Sequence, residues 1–143
     1  MQQTTKVKDV MTAHPILVNP SITLQEAAKK MEEADCGMLP VGSEEKLEGI
    51  ITDRDITIRA ISKGKNPAQE KISDYMTKGE IYACNENATL QEAADIMHAH
   101  KISRLIVKNE NDKVAGVLTF GAILRKDKDI SEVADVVKHA VGK

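Results

Sequence analysis

The 143 residues suffice for one ordinary domain or two very small ones, and a chain of this length can bury a core without disulfides or metal. Lys and Arg number 20 against 22 Asp and Glu, a formal net charge of −2, so no long-range positive field draws in nucleic acid. Apolar residues at 41% exclude a disordered chain, and aromatics at 2% (Tyr75, Tyr82, Phe120) are too few for a base-stacking platform.

The first element in chain order is a short extended stretch, Ile16-Leu17-Val18. Thr23 with Glu26 then forms a capping box ahead of an apolar stripe at Leu24, Ala27, Ala28 and Met31, which predicts an amphipathic helix of about three turns. Met38–Val41 and Leu47–Thr52 are predicted strands. The polar turn Ser43–Lys46 between them implies an antiparallel hairpin. A second helix starts near Asp53. The same order then returns: Ile81-Tyr82-Ala83, the capping box Thr89/Glu92, the stripe Leu90, Ala93, Ala94 and Met97, strands Arg104–Val107 and Val114–Thr119, and a helix near Phe120.

That recurrence is the strongest signal in the chain. TLQEAA occurs at Thr23–Ala28 and at Thr89–Ala94, 66 residues apart. Val10-Met11-Thr12 matches Tyr75-Met76-Thr77, and Gly49–Thr52 matches Gly116–Thr119. Two β-α-β-β-α repeats are expected, at 7–64 and 72–127. The polar Ser62–Lys71 reads as a linker, and residues 129–143 read as a terminal helix carrying Val133, Val136, Val137 and Ala140.

Cys36 and Cys84 follow no metal spacing and are expected as reduced thiols. His98 and His100 do not share a helix face, and His14 and His139 have no partners that assemble a nucleophile set, so no metal ligand and no catalytic residue is assigned. Met31, Met38 and Met97 lie on apolar stripes and read as core. No charged-then-apolar leader and no run of about 18 apolar residues occurs, so a cytoplasmic chain with no membrane partner is expected.

The two units, each opening with V-x-x-[VY]-M-T or a close variant, resemble a tandem pair of cystathionine-β-synthase-type (CBS) domains, the Bateman module. TLQEAAKKM, CGMLPV and GIITDRDI carry the resemblance in copy one, and TLQEAADIM, ISRLIV and GVLTFGAI carry it more loosely in copy two. It covers about residues 6–127. It implies an α+β fold in which two repeats meet about a pseudo-twofold axis, with clefts that take AMP, ADP, ATP or S-adenosylmethionine. It also implies a stand-alone binding module with no resident cofactor.

By that resemblance, cleft one joins Ile50, Thr52 and Asp55 to Thr77, Ile81, Tyr82, Ile102 and Ser103. Cleft two, the weaker, joins Met11, Ile16, Cys36 and Gly37 to Arg104 and Thr119. The Thr and the Asp three residues on would reach the ribose hydroxyls. Physical chemistry supports this independently, because a carboxylate in a first helical turn is favoured by the dipole and can accept from a vicinal diol. The plainer alternative is an N-terminal cap. Arg54 and Arg59 offer phosphate contacts, though Arg59 four residues after Asp55 equally suits an intrahelical ion pair. Copy two keeps Thr119 but has Ala122 where Asp55 stands, while Arg104 lies where the family often carries a phosphate-binding arginine. The reading is an adenine-nucleotide or S-adenosylmethionine sensor that works as a homodimer on a downstream protein partner, and is not an enzyme. The alternative is a structural dimerisation module with vestigial clefts.

Overall fold

The computed structural model describes residues 5–79 and 81–142. In chain order its elements are α1 (Val7–Val10), β1 (Thr12–Ala13), α2 (Leu24–Ala34), β2 (Met38–Gly42), β3 (Leu47–Thr52) and a π-helix (Asp55–Ala60). Then follow β4 (Ala83–Asn85), α3 (Leu90–His100), β5 (Arg104–Lys108), β6 (Val114–Thr119), α4 (Phe120–Lys126) and α5 (Ile130–Val141). The mixed α+β class agrees with the sequence reading. No helix among the described residues is long and apolar enough to cross a membrane.

The chain packs as two units, named only by their place in the sequence: an inner one of residues 15–81, and an outer one of residues 5–14 with 82–142. The opening segment of each sequence repeat is thus packed with the other repeat's core. Val7, Val10 and Met11 are buried among Leu90, Met97, Leu105 and Leu118 in the outer unit. Ile72 and Met76 are buried among Leu24, Leu39 and Ile51 in the inner unit.

A glycine permits this docking in each unit. A Cβ on Gly49 would lie 2.6 Å from the Thr77 carbonyl oxygen, and one on Gly116 would lie 2.6 Å from the Met11 sulfur and 2.8 Å from the Thr12 carbonyl oxygen. Without side chains there, Ile50 and Thr77 exchange backbone hydrogen bonds at 3.0 and 2.8 Å. In the outer unit β1 pairs antiparallel with β6, Ala13 opposite Gly116.

The outer sheet has the order β1-β6-β5-β4, with β4 parallel to β5 and the other pairs antiparallel. The inner unit repeats this pattern in reduced form. Its β2–β3 hairpin is flanked by single bridges from Val18 to Val41 and from Ile50 to Thr77. The predicted strand at Ile16–Val18 is therefore one bridge, and the predicted strand at Ile81–Ala83 forms two residues later. The extra residue in the polar stretch ahead of it accounts for one of the two, since Cys84 pairs with Val107 as Val18 bridges Val41.

Both predicted capping boxes form. Thr23 Oγ1 accepts from the Glu26 N–H at 3.1 Å while Glu26 Oε1 accepts from the Thr23 N–H at 3.2 Å, and Thr89 with Glu92 repeats this. Both helices end on a left-handed residue, Asp35 (φ 51°) and Lys101 (φ 55°).

Their outer faces differ. Ala94 is buried, whereas its counterpart Ala28 is exposed and so leaves the predicted stripe. The cause is α5, which packs on α3 through Val133, Val136 and Ala140 and has no equivalent on α2. On α2 that outer face carries Lys29, Lys30 and Glu33 where α3 has Asp95, Ile96 and Ala99. The predicted terminal helix thus forms at Ile130–Val141, with the Asp129 carboxylate accepting from the Glu132 N–H at 3.1 Å.

Residues 62–71 do not behave as a free linker. Pro67 and Glu70 carbonyls accept from the Gln25 and Leu24 N–H groups, and Thr23 bridges Lys71, so the segment covers the start of α2.

Candidate functional site

Strand β3 ends at Thr52, and the chain turns directly into a helix. Thr52 Oγ1 accepts from the Asp55 N–H at 3.0 Å, and Asp55 Oδ2 accepts from the Thr52 N–H at 3.1 Å. This is a capping box with aspartate in the third helical position. Asp55 is 8% exposed, the one buried charged side chain among the described residues. Its other oxygen, Oδ1, faces Arg59 Nε at 3.5 Å. Arg59 also donates from Nη1 to the Tyr75 carbonyl at 3.1 Å, while the guanidinium remains half exposed.

The helix from Asp55 onward is wound as a π-helix, with the Ile61 N–H reaching the Ile56 carbonyl five residues back. Such wide turns are rare overall and occur often at functional sites. The equivalent α4 is an ordinary α-helix. There Thr119 Oγ1 accepts from the Ala122 N–H at 3.1 Å, with no carboxylate to return the bond. Lys126, the counterpart of Arg59, donates from Nζ to the Met11 carbonyl at 2.7 Å.

The inner unit holds Ile50, Thr52, Arg54, Asp55, Arg59, Thr77 and Ile81 of the expected first cleft. Ile50 and Thr77 are joined by their paired backbones, and Thr52, Asp55 and Arg59 by the bonds above. Arg54 is exposed, its backbone N–H donating to Asp53 Oδ1 at 2.8 Å. Tyr82, Ile102 and Ser103 belong to the outer unit. The Tyr82 ring stacks on His100 at 3.7 Å between centroids and 14° between planes.

Of the second set, Met11, Arg104 and Thr119 share the outer unit. Arg104 lies opposite Thr119 in the β5–β6 register, and Met11 lies over Gly116. Ile16, Cys36 and Gly37 are in the inner unit, where Ile16 is 40% exposed.

Two pockets combine expected site residues, Cys36 and Gly37 in one and Ile102 and Ser103 in the other, with neighbours that only the fold assembles. In the inner unit a pocket of about 530 Å³ is lined by Met31, Glu32, Asp35, Cys36, Gly37, Asp53 and Ile56. In the outer unit one of about 810 Å³ is lined by the matching repeat positions His98, Lys101, Ile102, Ser103 and Phe120, with Ala140–Gly142 at one wall. Carboxylates in the first are replaced by His98, Lys101 and Phe120 in the second.

A polar cluster also lies outside the expected site. His139 Nε2 meets Asp95 Oδ1 at 2.5 Å, and the His139 and His98 rings stack at 5.4 Å. Among the described residues no group of three or more His, Cys, Asp or Glu side chains could hold a metal ion.

Three groups titrate away from their ordinary values. A hydrogen bond to Glu70, followed by burial, pushes the Tyr75 hydroxyl up to about 12. Burial, with Glu92 adding to it, pushes the Cys84 thiol up to about 11. Desolvation raises the Glu132 carboxyl, partly offset by hydrogen bonds from Thr5 and reinforced by Asp127.

The CBS domain family model matches residues 7–61 and again 72–129. The CBS domain-containing protein YhcV of Bacillus subtilis is 36% identical over 115 residues, 80% of each chain. An inosine-5'-monophosphate dehydrogenase of Methanocaldococcus jannaschii is 32% identical over 129 residues, 90% of this chain but 25% of that enzyme. The crystal structure of the CBS domain pair of protein MJ0100, in complex with 5'-methylthioadenosine and S-adenosyl-L-methionine, superposes with a TM-score of 0.74. It is 32% identical, covering 86% of this chain and 95% of that one.

Proposed function

The chain belongs to the CBS domain family as a tandem pair, and on that premise we propose that it is a regulatory module for an adenosyl ligand, AMP, ADP, ATP or S-adenosylmethionine. The observation that carries this reading is the Thr52–Asp55 pair. A carboxylate offers about four lone-pair positions. Thr52 occupies one, and Arg59 stands 3.5 Å from the other oxygen on a half-exposed side chain. Acceptor capacity therefore remains for a ribose diol at an oxygen already fixed in place. The bound 5'-methylthioadenosine and S-adenosylmethionine in the MJ0100 pair support the same ligand class.

The expected mechanism is a population shift, in which a ligand favours one arrangement of the pair and a partner protein detects it. The sites are unequal in this reading, because Ala122 supplies no carboxylate. Self-association as a homodimer belongs to the proposal, with Ile58 and Ile61, 48% and 47% exposed on and beside the π-helix, as apolar surface for it. No resident cofactor and no catalytic group is required.

A second reading, a structural dimerisation module, rests on the same pair: Thr52 and Asp55 satisfy each other, as a purely structural cap would. Thermal melting with AMP, ADP, ATP and S-adenosylmethionine separates the two. A ligand at 100 times its Kd stabilises by about 2.7 kcal/mol. A scaffold melts at one temperature throughout.

A further inference from the structure

Helix α5 lies beyond the residues matched by the family model, and its first turn is fastened to the chain start. Glu132 Oε1 accepts from the Thr5 hydroxyl at 2.5 Å, and Glu132 Oε2 accepts from the Thr5 N–H at 3.3 Å. The Thr5 carbonyl in turn accepts from the Leu90 N–H at 3.0 Å, at the start of α3. One residue thus ties α5 to α3, in addition to the packing of Val133, Val136 and Ala140.

A second carboxyl completes the cluster. Asp127 Oδ1 accepts from the Asp129 N–H at 3.0 Å, while Oδ2 is buried and no donor among the described residues reaches it. The Asp127 carboxyl is hydrogen-bonded to that of Glu132. Two ionised carboxylates are acceptors only, so a bond between them requires a proton on one. Among the described residues no lysine, arginine or histidine pairs with either carboxyl. Lys126 donates to the Met11 carbonyl, Asp9 accepts from the Lys6 N–H, and Glu92 accepts from the Thr89 N–H. The Asp129 carboxylate caps the Glu132 N–H, and Lys6, Lys8, Arg125 and Lys128 are exposed.

We propose that Asp127 and Glu132 share a single proton and form a pH-sensitive clasp, which holds Thr5 and the first turn of α5 on α3 while the proton is bound. Its loss to water leaves two carboxylates in place of one, where burial disfavours charge and the like charges repel. Desolvation raises the Glu132 carboxyl above the ordinary glutamate value, and Asp127 adds to this against the bonds from Thr5. The clasp is therefore closed below the ordinary value and opens as pH rises through the folded one. Opening loosens the cover that α5 gives to Ala94 on α3.

Asp127→Asn tests this on the full chain. The amide keeps an oxygen for the Asp129 N–H and sets an N–H donor where Oδ2 is orphaned, so the clasp stays closed at every pH. Hydrogen exchange by mass spectrometry follows the α5 amides in variant and wild type, from pH 4.5 to above neutral. Comparison at one pH cancels the intrinsic exchange rate and the His139–Asp95 contact, which both proteins share. The two should exchange alike at the acid end. Above neutral α5 should exchange about tenfold more slowly in the variant, the equivalent of one unit of pKa shift, with α2 unchanged. A ratio independent of pH would overturn the proposal, as would faster α5 exchange in the variant or equal slowing in α2.

Discussion

Thr52 and Asp55 hold each other by two reciprocal hydrogen bonds, at 3.0 and 3.1 Å, across the turn from β3 into the π-helix. A residue pair expected from the sequence to grip a ribose is, in the folded chain, also a helix cap. The cap and the proposed ribose contact are compatible, because Thr52 takes only one of the carboxylate's acceptor positions. They also make different predictions for stability and for binding.

Thr52→Val removes one bond of the cap and should cost about 1 kcal/mol, and Asp55→Ala a similar amount. Because the bonds are reciprocal, the double variant should lose less than the sum of the two. Urea unfolding of the four proteins measures the coupling. Strict additivity would mean that the pair does not act as a unit.

The helices α2 and α3 were legible in the sequence because Thr23/Glu26 and Thr89/Glu92 are local signals, complete within four residues. Hairpins β2–β3 and β5–β6 were legible for the same reason. The exchange of Val7–Met11 and Ile72–Met76 between packing units was not, since periodicity does not say which sheet a segment joins. Residues 62–71 looked like a linker because their side chains are polar, yet their backbone carbonyls cap α2. The π-helix follows nothing in Ile56-Thr57-Ile58 that periodicity detects. Of the candidate site, the Thr52–Asp55 spacing is readable locally, but the contact of Arg59 with Tyr75 and the charge inversion between pockets arise only on folding.

Gly49→Ala and Gly116→Ala should each destabilise by about 1–3 kcal/mol, because a methyl group would press on backbone oxygen or on a methionine packed in the core. Gly64→Ala meets no neighbouring atom within 4 Å, so it isolates the strain of a positive φ from crowding. Chemical denaturation of the three variants checks this. Wild-type stability in Gly49→Ala would show that close docking of the Ile72–Thr77 segment is not required at that edge.

The two thiols should react very differently. Cys36 is half-buried at the rim of the inner pocket, while Cys84 is buried with its thiol raised to about 11. Against an ordinary thiol near 9.0, that leaves about 100-fold less thiolate at neutral pH. Timed iodoacetamide labelling with peptide mapping should modify Cys36 first, with Cys84 reacting only after unfolding.

Glu132 carries a pH dependence of known sign. Its carboxyl is raised in the folded chain, so the folded state holds the proton more tightly than the unfolded state does. Its contribution is therefore present below the ordinary glutamate value and is lost as pH rises through the folded value. Glu132→Gln cannot ionise, so its melting temperature should rise relative to that of the wild type as pH climbs from 4.5 toward neutral. A constant difference across that range would show that the carboxyl titrates alike in the folded and unfolded chain.

The central claim is that Asp55 binds the ribose of an adenosyl ligand, and titration calorimetry of wild type and Asp55→Ala with AMP and S-adenosylmethionine tests it most directly. Losing charge-assisted bonds of about 1.5–3 kcal/mol corresponds to roughly 10- to 150-fold in Kd. The account predicts that loss for at least one of the two ligands, in a variant that still unfolds cooperatively. Equal affinity in wild type and variant, or no heat from either ligand with the wild type, would contradict it.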